Sequence, residues 1–75
     1  MSPRDFSTVY RAEPVARAEL RTTLTENVWH VPRCPFCRRE HDFAAGSLDG
    51  NPRIFLGLRL SLCPRARWLV LEEAP

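Results

Sequence analysis

The chain is 75 residues long with a formal charge of +2 at neutral pH. A single domain of that size has a core worth about 3–5 kcal/mol of net stability unless a disulfide, a metal or a partner adds to it. No apolar run approaches the roughly 20 residues that span a bilayer, which excludes a membrane-crossing helix, and so weak a net charge selects no partner by itself.

Residues 1–13 show no sustained hydropathic period, contain Pro3 and end before Pro14. They read as an irregular arm with Phe6, Val9 and Tyr10 as apolar anchors. The start Met1-Ser2-Pro3-Arg4-Asp5 lacks the apolar stretch of a signal peptide, so a reducing, cytoplasmic setting is expected. From Val15 to Leu24, Ala16, Ala18, Leu20, Thr22 and Leu24 share one face at period two, with Arg17, Glu19 and Arg21 opposite, which is the strand template. The composition around Ala16 to Arg21 favours helix. Strand is preferred because Thr25-Glu26-Asn27 reads as a turn into Val28-Trp29-His30-Val31, a β-rich run able to pair back on it.

That hairpin delivers the chain to Cys34-Pro35-Phe36-Cys37, followed by His41. Two thiols two residues apart close on one ion through a tight turn, and structural zinc takes four nitrogen or sulfur ligands in a tetrahedron. Cys63 supplies the fourth ligand, giving Cys34-x2-Cys37-x3-His41-x21-Cys63. Pro35 and Pro64 stiffen the two metal-facing segments. The metal set is therefore Cys34, Cys37, His41 and Cys63, with His30 as the substitute should His41 face away. Three cysteines leave one thiol over in any disulfide framework. Bound Zn2+ would add folding free energy that the small core lacks, so residues 14–75 are expected to form one zinc-stabilised β domain.

After the knuckle, His41 to Ala44 suits a short strand, and Gly46 to Pro52 is dense with turn residues. Ile54 to Leu62 reads as a strand with Leu56, Leu58, Leu60 and Leu62 on one face. Arg67 to Glu72 contains the apolar run Trp68-Leu69-Val70-Leu71 and would return as its hairpin partner across Pro64. The expected fold is a small β-rich, zinc-ribbon-like domain: antiparallel hairpins with metal knuckles at strand ends.

Cys34, Pro35, Cys37, His41 and Cys63 together resemble the zinc-ribbon class, and more narrowly the short Cys-Pro-x-Cys…His…Cys proteins common in high-GC actinobacteria and their phages. The resemblance spans Arg33 to Cys63 and implies a bound zinc on a β-hairpin scaffold. The common ribbon has a second CxxC where this chain divides the ligands between His41 and Cys63. Cys-Pro-Phe-Cys is also similar to the active-site motif of the glutaredoxin family, over four residues only. There the motif opens a long helix, whereas here Gly46 arrives too soon.

All eleven basic residues are arginine. A GC-rich genome accounts for much of that bias, yet the consequence is chemical: guanidinium is planar, permanently charged and suited to bidentate phosphate contact. Closing the cysteines on one ion would gather Arg33, Arg38, Arg39, Arg65 and Arg67 against only Glu40 and Asp42, with Phe36 and Trp68 nearby. Clustered arginine beside aromatic rings binds phosphate backbones and stacks on bases. The expected function is a non-catalytic module whose knuckle end docks on nucleic acid. The alternative is a protein-binding adaptor or inhibitor, a phage-encoded one included, acting on an acidic protein surface through the same arginines, a β-edge or the Trp29/Trp68 surface. Enzymatic activity is not expected, because four protein ligands leave zinc no open position and no nucleophile set, carboxylate pair or phosphate loop is present.

Overall fold

The computed structural model describes residues 13–64 and 66–75. The anchors Phe6, Val9 and Tyr10 and the binding candidate Arg65 lie outside the described residues.

β1 (Val15–Thr22) and β2 (Glu26–Val31) form the first antiparallel hairpin, with Leu20 opposite Trp29 and Thr22 opposite Asn27. The turn falls at Thr23 to Thr25 instead of Thr25 to Asn27. The reason is Thr23: its Oγ1 accepts from the N–H groups of Thr25 (3.2 Å) and Glu26 (3.0 Å), and its own N–H donates to the Glu26 carbonyl (2.9 Å). Such a threonine-centred turn satisfies backbone groups that would otherwise continue the ladder.

β2 also pairs antiparallel with β3 (His41–Ser47), which outruns the expected end at Ala44. Asn27 Nδ2 donates to the Ser47 carbonyl at 3.0 Å and holds the strand to its end. Gly46 has φ +84°, and a Cβ there would lie 2.9 Å from Phe55 Cε2, so only glycine lets that ring close on the strand. Phe55 belongs to a 3-10 helix, Pro52–Phe55, opened by Asn51 Oδ1 accepting from the Arg53 N–H at 3.1 Å. The buried Trp29 donates its Nε1–H to the Pro52 carbonyl at 2.8 Å. Pro52, Ile54 and Phe55 are thus helical, and the strand expected over Ile54 to Leu62 shrinks to β4 (Gly57–Leu60).

β4 pairs antiparallel with β5 (Trp68–Glu73), Leu58 opposite Val70 and Leu60 opposite Trp68. The antiparallel expectation holds for three pairings and fails for the fourth. β1 and β5 run parallel, Val15 beside Val70 and Ala18 beside Glu73, giving the order β3-β2-β1-β5-β4. Pairing of sequence-distant parallel segments needs no tight turn and leaves no local signal. Here it sets Ala16 beside Leu71.

The mixed sheet curls around the inward faces of its strands, where Trp29, Val31, Phe43, Leu69 and Leu71 pack with the three small alanines Ala16, Ala18 and Ala45. Trp29 is a core residue, so the surface expected of it does not exist. The alternating leucines mark a two-faced strand, but their face points outward: Leu58, Leu60 and Leu62 are 43, 47 and 54% exposed. Register explains this, because Gly57 and Arg59 stand opposite the core residues Leu71 and Leu69. Among the described residues no helix is long and apolar enough to cross a membrane.

Candidate metal centre

β2 ends at Val31, and the chain turns into the cysteine loop. The Cys34 N–H donates to the Arg39 carbonyl and the Arg38 N–H to the Cys34 carbonyl, both at 2.9 Å, which closes the knuckle on itself. Arg38 has φ 64°, the left-handed region where glycine is the usual occupant. That reversal after Cys37 returns His41, the first residue of β3, to the knuckle.

Cys63 arrives from the other hairpin, in the connection between β4 and β5. Ser61 fastens that connection: its N–H donates to the Arg67 carbonyl (2.8 Å) and its Oγ accepts from the Arg67 N–H (3.0 Å). The sequence reading missed Ser61. Its signal was a hydroxyl two residues before a ligand, among leucines.

The ligand atoms of Cys34, Cys37, His41 and Cys63 all lie within 4.8 Å of one another. Cys34 Sγ to Cys63 Sγ is 3.4 Å, Cys37 Sγ to His41 Nε2 is 3.0 Å and Cys63 Sγ to His41 Nε2 is 3.5 Å. A zinc tetrahedron with its usual bond lengths has sulfur–sulfur edges of about 3.8 Å and sulfur–nitrogen edges of about 3.6 Å. The three distances fall about 0.1–0.6 Å short of those values, close enough for small side-chain shifts to admit an ion, and three soft sulfurs with one imidazole suit a metal ion. All three cysteines are free thiols, Cys34 and Cys63 buried.

The thiols are electrostatically unequal. Burial pushes Cys34 up, but backbone hydrogen bonds from Cys37 and Phe36, with the neighbouring thiols, outweigh it and hold Cys34 below its ordinary value of 9.0. The Phe36 N–H lies 3.4 Å from Cys34 Sγ. Burial, then the Cys34 and Cys37 thiols, push Cys63 up to about 11. The close contact of Cys34 with Cys63 opposes ionisation of both unless a cation lies between them.

His30, the substitute ligand, is placed elsewhere. It lies on the outer side of β2, directly opposite Asp42, with Nδ1 2.6 Å from Asp42 Oδ1. Its Nε2 is 3.2 Å from Glu40 Oε1, an ion-pair distance without hydrogen-bond alignment. His30 therefore bonds Asp42 and stands beside Glu40, the two acidic neighbours of the knuckle. Sequence reasoning assigned both carboxylates correctly to that neighbourhood and missed the histidine beside them, since cross-strand pairing depends on register.

Arg33, Arg38, Arg39 and Arg67 are exposed. Arg67 places its guanidinium 4.8 Å from the centroid of the Phe36 ring, joining the Cys63 segment to the knuckle by a cation–π contact. Trp68 beside it is 52% exposed.

Fold and site together define a small β-rich domain with a Cys3His cluster at metal-binding distance. No protein-family model, no curated protein and no solved structure matches the chain.

Proposed function

We propose that this chain is a non-catalytic, zinc-stabilised binding module whose arginine-bearing knuckle end docks on nucleic acid. Zinc is the ion of choice for three thiolates and one imidazole in a closed tetrahedral set. Bound there, it would tie the β2–β3 connection to the β4–β5 connection, elements that the sheet leaves at opposite edges.

One observation carries the docking reading. Among the described residues no carboxylate lies at ion-pair distance from Arg33, Arg38, Arg39 or Arg67, while Asp42 is bonded to His30 at 2.6 Å. The end of the molecule is cationic despite the weak net charge, and its guanidinium groups are available for phosphate. Phe36, Trp68 and Arg67 add stacking surfaces of the kind single strands use.

The test is binding of zinc-loaded protein to single-stranded DNA, RNA and duplex DNA across a salt series. Affinity should fall steeply with salt as counterions are released. Replacing Arg38 and Arg39 together by alanine should reduce the slope by about one unit per lost contact. Binding that ignores salt, or no binding, sinks the reading. A protein-binding role is the second reading, favoured by Trp68 and the outward leucines of β4.

A further inference from the structure

We infer that the seam between the two sheet edges, β3 and β4, is a docking groove for an extended acidic–apolar peptide strand of a partner protein. Beginning and end of the sheet order are β3 and β4, so among the described residues each has one side that no neighbouring strand pairs. The curl brings these two open sides around a groove of about 440 Å³. Consecutive residues line it from both strands, Asp42 to Ala44 on β3 and Leu58 to Leu60 on β4. Lining by consecutive residues of both strands sets the groove against their backbones as well as their side chains, alongside both open edges. A strand laid there could pair its backbone with either edge, the mode of recognition known as β-strand addition, and would cover open edges that proteins otherwise protect.

Charge decides the chemistry of the occupant. Of the two charged groups lining the seam, Asp42 is already held by His30 at 2.6 Å. Arg59 has no carboxylate at ion-pair distance among the described residues, and its guanidinium stands 5.9 Å from the centroid of the Phe55 ring. The seam therefore offers one positioned cation among Phe43, Leu58, Leu60, Leu62 and Trp68. An extended segment alternating apolar and acidic side chains matches it. A polynucleotide does not, lacking a backbone that pairs with strand edges. A second copy paired antiparallel through β4 and centred on Arg59 would set two arginines against each other.

The experiment uses zinc-loaded full-length protein and a capped Val-Glu-Val-Glu-Val peptide, followed by amide chemical shifts and hydrogen exchange. Expected are saturable binding and slowed exchange at amides of 43–45 and 58–60. Arg59→Gln should weaken it about tenfold, as should reversing the peptide charges with lysine. The Arg38/Arg39 double alanine variant should bind the peptide as the parent does, which separates this surface from the nucleic-acid end. Should Arg59→Gln disturb folding, a peptide N-methylated on its pairing edge serves instead and must lose affinity on the unaltered protein. Absence of binding, equal affinity of the N-methylated peptide, or a stable dimer whose seam amides are protected before peptide is added would each overturn the assignment.

Discussion

Cys34 and Cys63, 29 positions apart in sequence, bring their sulfur atoms to 3.4 Å. One belongs to the loop after β2 and the other to the loop after β4, so their meeting joins the two halves of the sheet at one end. The core that must otherwise hold those halves together contains three alanines among its eight described residues, and small side chains bury little apolar area.

Zinc removal should therefore loosen the whole domain, not only the knuckle. Thermal unfolding measured against buffered free zinc should show the midpoint rising with zinc activity, by the equivalent of about 2.7 kcal/mol at a hundredfold excess over the dissociation constant. Cys63→Ala should abolish stoichiometric zinc and remove that dependence. An unfolding midpoint identical with and without chelator would refute the role assigned to the cluster.

Arg38→Gly should stabilise the zinc-loaded fold by about 1 kcal/mol. The φ of 64° at Arg38 costs an L-residue energy that glycine does not incur. Arg38→Ala provides the control, because alanine keeps the strain: it should give no such gain while weakening nucleic-acid binding equally. Chemical denaturation of the two variants side by side distinguishes backbone relief from loss of charge. Equal stability of the two would show that the left-handed turn is not where the strain resides.

Much of this architecture was legible because it is local. The alternation of Ala16, Ala18 and Leu20 located β1, and the spacing of Cys34, Cys37, His41 and Cys63 brought together four residues that do converge. What escaped notice was settled by contacts between remote segments. Leu58 and Leu60 alternate as a strand should, yet alternation cannot say which face is buried; the register against Leu69 and Leu71 decides that. The parallel contact of β1 with β5 depends on the closure of the whole chain. His30 was read as a spare ligand because spacing alone does not reveal that it stands across from Asp42.

Gly46→Ala should destabilise the domain by about 1–3 kcal/mol. The substitution combines a positive φ with a Cβ placed 2.9 Å from Phe55 Cε2, so the ring must shift away from β3. Gly57→Ala makes a useful comparison, since φ there is +102° but no atom lies within 4 Å of the added Cβ. Its cost should be the backbone strain alone. Denaturant midpoints with zinc held constant would measure the difference, and a Gly46 variant no worse than the Gly57 variant would rule out the steric account.

Zinc affinity should rise with pH. Each thiol that still carries its proton must release it to bind the ion, and Cys63, pushed up to about 11, holds its proton more firmly than an ordinary thiol. The expected slope is about tenfold in affinity per pH unit for each proton released. In the metal-free chain the sign is reversed for this residue: a raised folded value stabilises the fold fully below the ordinary 9.0 and ceases to do so as pH climbs through about 11. Cys34, held low, contributes in the opposite sense. Competition with a colorimetric chelator from pH 6 to 8 tests the slope, and a flat profile would contradict it.

His30→Gln should separate the fold of the knuckle from its charge. His30 is 5% exposed and bonds the exposed Asp42 at 2.6 Å, so losing the ring removes that hydrogen bond at a cost of about 1 kcal/mol. The ligands are untouched, and zinc content should remain stoichiometric. Asp42, no longer held on the outer side of β2, is then free to turn toward Arg38 and Arg39, and one such exposed pairing is worth about 0.5 kcal/mol. Nucleic-acid affinity should accordingly fall a little over twofold at low salt, with the difference vanishing as salt screens the surface. Unchanged affinity at low salt, with the protein folded and zinc-loaded, would mean that Asp42 exerts no control over the arginine end.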